Sequence, residues 1–479
     1  MLSHRWVKGG LLAVPLLLAL PVPAAHADGL SFAVTSLADL PDSNPGDGTC
    51  ASSDTHCTLR AAVEEATKNG STVTITLPTG AIPLATPLLV TSPVTVVGRE
   101  GTVLDASTGT AVATVTSAAL SLSNLGIKGA STTDDTAGVL NATESTVTLK
   151  NVEVGGAHGG GAIQVAGGSV VLDGTSIHNS DGAEGAALRA TNADVTVKGG
   201  SFTSNTATSD GGALFLSYPT AVAISGATFI ENTALGRGGA VFLEGRAKGA
   251  KDLAVSGIFK GNSSRVSGGA VFVRSTSNGV SDGVLTIDKG VFTANTSGSG
   301  GAVGLNAGSL VLSGGEFGSN AARAGQGGAV AAAGDLTVKD ASFKNNSASD
   351  AGGAIGSLGL ITVSGSTFSA NSAGTAGGAL ALQGYAQPSI DSSPFDGNTA
   401  GGAPQAIWRG GAGLTQSGNT YATDQAVVVD LPARKAEKVS LTSLEGHGNR
   451  NLVVGAVAAA MILLLAVGLQ LQRRKKVIA

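Results

Sequence analysis

The sequence predicts an all-β chain: a right-handed parallel β-helix (solenoid) with a short N-terminal helical cap and one C-terminal transmembrane helix. Three observations carry this prediction. Gly-Gly-Ala followed by a branched aliphatic residue occurs seven times between Gly211 and Leu380. A Phe-x-x-Asn sits near each copy, beginning at Phe202, Phe229, Phe259, Phe292, Phe317, Phe343, Phe368 and Phe395, with its Asn at Asn205, Asn232, Asn262, Asn295, Asn320, Asn346, Asn371 and Asn398. The steps run from 25 residues (Phe292 to Phe317) to 33 (Phe259 to Phe292). The stretches between alternate apolar with polar residues, as in Ala221-Val222-Ala223-Ile224, and none shows helical spacing. A repeat this short cannot bury a core alone, so neighbouring copies stack and share one.

Period-two alternation means strands. With the stretch around Phe-x-x-Asn, each coil holds about three, every strand pairing with its equivalent one coil on. Gly-Gly lets the backbone take a positive φ at a tight bend, and the following Ala fits where a larger side chain would crowd the interior. Phe at one position in successive coils stacks inside, and Asn at one corner forms a ladder of amides along the axis. The other reading of these Asn residues is catalytic or ligand-binding. Eight copies at one register argue for the structural role, with the Asn supplying the left-handed or turn conformation of its corner.

The motif pair resembles the polymorphic outer-membrane protein repeat, defined by repeated GGA[ILV] and FxxN. The likeness spans residues 202–403, with Gly401-Gly402-Ala403 closing the series before Pro404. It implies a secreted bacterial β-helix of a family in which the helix is a passenger on an outer-membrane barrel and members are associated with adhesion to other cells. This chain departs from that pattern by offering a single apolar helix at its C-terminus where alternating barrel strands would stand.

From the N-terminus, residues 1–27 read as a signal peptide: His4, Arg5 and Lys8, an apolar run from Leu11 to Leu20, then small Ala25 and Ala27 before Asp28. Residues 28–80 form a separate cap. They contain both cysteines, Cys50 and Cys57. In an exported chain two cysteines this close read as one disulfide closing a small loop, and with His56 they are too few for a structural zinc. Leu59, Ala62, Val63 and Ala66 fall on one face of a short helix that covers the open first coil. Asp42, Asn44 and Asp47 suggest a calcium loop, but the Gly and terminal Glu of an EF-hand are missing at the required offsets. Cys57-Thr58-Leu59-Arg60-Ala61-Ala62, with Asn44 to Cys50 before it and strands at Val73 to Leu77 and Val94 to Val97 after it, resembles the CSLREA domain, with Thr58 for Ser and Ala61 for Glu. That domain is found at the N-terminus of exported bacterial β-helical proteins, so the resemblance implies compartment and capping.

The β-helix is expected over 81–425, followed by a terminal cap and linker over 426–451. Trp408 reads as a capping contact or a binding anchor. Residues 452–471 are uncharged and apolar with one Gln470, long enough to span about 30 Å of hydrocarbon. The tail, 472–479, carries Arg473, Arg474, Lys475 and Lys476 as a stop-transfer signal, which by the positive-inside rule stays in the cytoplasm. Leu431-Pro432-Ala433-Arg434 fails as a sorting signal at its fourth position, which favours a retained single-pass membrane anchor with the large N-terminal region extracellular.

Charged residues make up only 13% of the chain and the net charge is −4, which excludes the basic surface nucleic acid requires. Hydrophobic residues at 42% in regular alternation exclude a disordered Gly-rich chain. A glycan-cleaving site needs paired carboxylates, or a base beside calcium-binding acids, on one face of consecutive coils. The acids are scattered: Asp134, Asp135, Asp181, Glu184, Asp210, Glu231 and Asp350, of which Asp210 and Asp350 sit at Gly-Gly corners and read as turn residues. His158 and His178 are candidate bases with no partner identifiable in the sequence. Two functions follow. The first is a non-catalytic cell-surface rod with an adhesive or envelope-structural role, binding a surface glycan or a protein of another cell. The second is an anchored polysaccharide lyase or glycoside hydrolase. Uniform coils favour the first, with no catalytic residue, cofactor or metal expected.

Overall fold

The structure, a computed structural model, describes residues 30–430 except 108–110, 130–136, 246–252, 276–283, 385, 412, 423 and 426–428. The leader at 1–27, the apolar stretch 452–471, the basic tail and the pair Asp134 and Asp135 lie outside the described residues. Among the described residues no helix is long and apolar enough to cross a membrane.

Strands stack in three long parallel columns. The first runs from Leu30–Ala33 and Val73–Thr76 to Ser389–Asp391 and Thr415–Ser417. The second begins at Gly80–Pro83 and Thr102–Asp105, passes through Ser201–Thr203, and ends at Thr420–Tyr421. The third holds Leu88–Val90, Leu214–Ser217, Val241–Glu244, Val271–Arg274 and Ile407–Arg409. A fourth column of two-residue strands, from Asp181–Gly182 to Thr399–Ala400, follows each Phe-x-x-Asn. The expected three strands per coil are therefore joined by a short fourth.

The second column aligns the phenylalanines. Phe202, Phe229, Phe259, Phe292, Phe317, Phe343, Phe368, Phe395 and then Tyr421 stack with ring centroids 4.7 to 5.1 Å apart. The eight Phe rings are buried. Toward the N-terminus the same position is filled by Ile177, Val154, Ile127, Leu104 and Ile82, so the column continues with aliphatic side chains where the repeat signature stops.

Each asparagine of the motif is fully buried and fully paired. Asn295 is representative. Its Nδ2 donates to the carbonyl of Phe259 at 2.9 Å and to Oδ1 of Asn320 at 3.0 Å, while its own Oδ1 accepts from the backbone N–H and Nδ2 of Asn262, both at 3.0 Å. At the last rung Gln425 takes the place of an asparagine, its Oε1 accepting from the Asn398 N–H at 3.1 Å and its Nε2 donating to the Asn398 carbonyl at 3.2 Å. One expectation is corrected. The left-handed residue of the corner is not the Asn but the one before it: Ser204, Glu231, Gly261, Ala294, Ser319, Asn345, Ala370 and Gly397 all have φ between 52° and 65°. The Asn is retained for its amide, whose two N–H donors reach a carbonyl and the amide oxygen of the next rung while its Oδ1 accepts from the rung before.

The two glycines of the corner do different work. The first takes the positive φ, as at Gly300 (60°). The second allows coils to approach: a Cβ on Gly301 would lie 2.2 Å from the carbonyl oxygen of Gly328, and the equivalent atom on Gly212, Gly239, Gly269, Gly328 or Gly353 would lie 2.0 to 2.1 Å from the next coil. Gly401-Gly402-Ala403 departs from this pattern. Both glycines have positive φ (57° and 81°), and Ala403–Pro404 turns back to pair antiparallel with Thr399–Ala400. Positive φ at both central residues makes a hairpin turn, so this copy ends the short column instead of adding a corner.

Cys50 and Cys57 are disulfide-bonded. Helix α1 (Leu59–Asn69) is capped by Thr58, whose Oγ1 accepts from the Ala61 N–H, and ends at Gly70 with φ 62°. Its buried face, Leu59, Ala62, Val63 and Ala66, joins the core that begins with Val73 and Leu88, and so covers the first coil. Arg60 fastens this cap. Its Nε and Nη2 meet the two oxygens of Asp39 at 2.7 and 3.1 Å, and Nη2 also donates to the Thr86 carbonyl at 2.6 Å. Both side chains are largely shielded, at 12% and 14% exposure. Arg60→Ala leaves the Asp39 carboxylate without its cation and is expected to lower the stability of the N-terminal end by about 2 kcal/mol. Limited proteolysis that opens residues 30–90 before the later coils checks this. Equal resistance in the variant and the parent would show that the cap is held by apolar packing alone.

Candidate binding face beside the Gly-Gly-Ala corner

The residues singled out in the sequence fall into three groups. The Phe and Asn series is interior and structural. The Asp42, Asn44 and Asp47 loop is closed by its own backbone: Asp42 Oδ1 accepts from the Asn44 N–H at 2.9 Å and Asp47 Oδ1 from the Thr49 N–H at 2.8 Å. Fully buried Glu65 accepts the N–H groups of Gly46 and Gly48 and the amide of Asn69. These carboxylates therefore organise a loop, and no group of three or more metal-binding side chains occurs among the described residues.

The histidines do have partners, each one coil away. His158 Nδ1 meets Asp181 Oδ1, and the other Asp181 oxygen accepts from the Gly159 N–H at 3.1 Å. His178 Nε2 lies 3.0 Å from Glu153 Oε1. Sequence separations of 23 and 25 residues hid both pairs. They stand on open surface, with Asp181 at 48% and Glu153 at 70% exposure, where solvent screens the charge. Asp350 holds the hydroxyl of Thr375 at 2.9 Å, and Glu231 occupies the left-handed corner position.

Asp210 is different. The residue before the first corner glycine forms its own column, in which Glu184, Asp210 and Arg237 are successive members. It faces the outward middle position of the third strand column, where Arg189, Phe215, Phe242 and Phe272 are in register. The three phenyl rings stack at 5.1 and 5.7 Å on the outside of the sheet, a second aromatic stack separate from the core. Guanidinium groups roof it: Arg189 over Phe215 at 5.8 Å, Arg274 over Phe242 at 4.9 Å and Arg237 over Phe272 at 5.5 Å. Such stacking combines burial of the ring with attraction between the cation and the π face. Arg274 bridges two acids, Glu244 at 2.8 Å and Asp210 at 3.4 Å, and Arg189 pairs with Glu184 at 3.2 Å.

Burial pushes the Asp210 carboxyl above the usual carboxylate range, opposed by the Arg237 N–H it accepts at 2.6 Å and by the charges of Arg237 and Arg274. Burial also lowers the pKa of Arg237, and the like charge of Arg274 adds to the effect. The reading of Asp210 as a turn residue is thus incomplete, since its side chain also anchors this cluster. Sequence reasoning missed Arg237, Glu244, Arg274 and the outer Phe stack. The available signal was the Phe two places after the corner alanine, which recurs in the copies beginning at Gly211, Gly238 and Gly268.

Farther along the same face the strand column turns small, with Gly304, Ala331, Gly356 and Ala381, before Trp408. Trp408 packs on Ala351, Ala376 and Ala381 on this outer face. The end of the interior is filled by Arg409 instead, 2% exposed, donating to the carbonyls of Leu382, Gly384, Ala386 and Gly413. The capping role expected of Trp408 belongs to its neighbour.

A family model of the Chlamydia polymorphic membrane protein repeat matches residues 199–217 and 340–357. Each stretch contains one Phe-x-x-Asn, its short fourth strand and one Gly-Gly-Ala corner. Among solved structures, the A-module of the Azotobacter vinelandii mannuronan C-5 epimerase AlgE6 is similar with a TM-score of 0.38 and 14% identity, over 77% of this chain and 95% of that chain. No curated protein matches. The chain is a β-solenoid repeat protein whose coils are built like polymorphic membrane protein repeats.

Proposed function

We infer that this is a bacterial cell-surface β-solenoid whose role is non-catalytic: a stiff rod that presents its lateral faces for adhesion or contributes to the envelope. In this reading residues 1–27 direct export, the CSLREA-like segment seals the first coil, and 452–471 with Arg473 to Lys476 anchors the chain so that the rod projects outward. The likeness of the coils to polymorphic membrane protein repeats supports surface placement. The observation that carries the non-catalytic part is the regular register of the columns. It spreads the acids at one to three per coil and leaves each of Asp181, Glu184, Asp210 and Asp350 engaged by a cation, a backbone N–H or a hydroxyl. Active sites draw on irregular loops and clefts, which such coils supply poorly.

A second reading, an anchored polysaccharide lyase or glycoside hydrolase, is favoured by one feature: Asp210 and Glu244 both pair with Arg274, so two carboxylates and a guanidinium cation meet on one face of three consecutive coils. The test is to incubate the full chain with acidic and neutral polysaccharides while recording retention and the appearance of new reducing or unsaturated ends. Retention without new ends is expected. New ends that vanish in Asp210→Asn would replace the first reading with the second.

A further inference from the structure

The cluster of outer Phe rings and Arg side chains spans four coils, from the strand Leu188–Thr191, which carries Arg189, to Val271–Arg274, on the order of 15 Å along the axis at about 4.8 Å per coil. Its cations are not equivalent. Arg189 and Arg274 have carboxylate partners. Arg237 is half-buried on the ring of Phe272, and its guanidinium has no hydrogen-bond acceptor and no carboxylate within ion-pair distance among the described residues. Asp210 accepts its backbone N–H, and the charges of Asp210 and Glu244 act on the guanidinium only from beyond ion-pair distance. A planar donor fork withdrawn from part of its water and beside a second guanidinium is a receptor for an oxyanion, which a carboxylate matches in a two-point contact.

We propose that Arg237, with Arg274 beside it on the Phe242 and Phe272 rings, is the anchor point for the carboxylate groups of an acidic polysaccharide lying along this face. The inference rests on the surface-rod reading and assigns that rod a ligand class. The backbone of these interior coils is already paired on both sides, so an extended peptide has no free strand edge to join. A polymer with one carboxylate per sugar brings a carboxylate within reach of Arg237 in whichever register it lies along the axis.

The site makes a prediction of opposite signs. Arg237 contributes the attraction, and Asp210, close to it, opposes an incoming anion. The full chain is titrated with a polyuronate oligosaccharide, a sulfated oligosaccharide of similar length, a neutral oligoglucan and poly-glutamate, with parallel runs on Arg237→Gln, Arg237→Lys, Asp210→Asn and Lys344→Gln. Lys344 is an exposed cation on the second column and serves as the control. Unchanged circular dichroism establishes that each variant is folded. Polyuronate binding is expected to fall about tenfold in Arg237→Gln, the equivalent of one charge-assisted contact. It falls less in Arg237→Lys, rises in Asp210→Asn and stays unchanged in Lys344→Gln. Binding to the sulfated chain that equals or exceeds the polyuronate would overturn carboxylate recognition. Preference for poly-glutamate, equal loss in Lys344→Gln, or weakening in Asp210→Asn would overturn the site itself, as would an absence of all glycan binding. None of these bears on the surface-rod reading, which fails only if polymer is cleaved.

Discussion

Asn320→Ala is expected to cost the solenoid on the order of 4 kcal/mol or more. The amide is one rung of a buried ladder: it accepts from the N–H and the Nδ2 of Asn295, both at 3.0 Å, and donates to the Phe292 carbonyl and to Asn346 Oδ1, both at 3.0 Å. Alanine leaves the Asn295 N–H buried without its acceptor and removes one bond each from the Phe292 carbonyl, from Asn295 Nδ2, which keeps the Phe259 carbonyl, and from Asn346 Oδ1, which keeps the backbone N–H of residue 320, at about 1 kcal/mol or more for each bond lost. Asn320→Asp is expected to be as harmful at neutral pH, since a carboxylate keeps the two accepted bonds but cannot donate, and it buries a charge. Denaturant melts of the two variants beside the parent check this. A loss below about 1 kcal/mol in Asn320→Ala would mean that water fills the rung and that the ladder is not a principal source of cohesion.

The second large effect is expected at the corner. Gly301→Ala places a methyl 2.2 Å from the Gly328 oxygen and 2.5 Å from the Ala321 nitrogen, both backbone atoms that cannot turn aside. The coils must separate locally, which strains the hydrogen bonds that tie Gly301 to Gly327 and Ala302 to Ala329. A destabilisation of about 3 kcal/mol or more is expected, at the upper end for overpacking. Gly318→Ala is the control: nothing lies within 4 Å of its Cβ position, and the change is expected to be neutral or to stabilise by about 0.5 kcal/mol. Thermal unfolding of both variants decides. Equal midpoints would show that the corner glycines are not retained for coil-to-coil approach.

The architecture was legible because a solenoid writes the same environment into the sequence at every turn. Phe229 and Phe259 occupy one site, as do Asn232 and Asn262, so period and burial could be read together. The αL residue was not legible. Ser204, Glu231, Ala294 and Asn345 share a conformation without sharing a side chain, because the backbone hydrogen bonds of the corner impose it against propensity. The second corner glycine was assigned the role of the first, since sequence cannot separate a dihedral requirement from a contact across coils. Gly401-Gly402-Ala403 looked like one more corner, and only Pro404 hinted at the hairpin.

The lateral cluster was hidden for a related reason. Arg274 reaches Glu244 across 30 residues and Asp210 across 64, and His178 reaches Glu153 across 25. Such pairs become neighbours only once the register of unequal coils is known. The Phe after the corner in three consecutive copies was visible, but an alternating strand hides whether it points into the core or out of it. The segment Ala213-Leu214-Phe215-Leu216 is buried at every position, so its outer face carries no polar residue to mark the alternation.

Amide hydrogen exchange, read by mass spectrometry on the full chain, tests the central claim most directly: the interior Phe and Asn columns bind successive coils into one cooperative body. The account predicts that peptides covering Phe202 to Asn398 exchange slowly and together, with the N–H groups of Asn232 to Asn371 among the last to be lost. Exchange of those same amides within seconds, or coil by coil without protection at the asparagines, would contradict it.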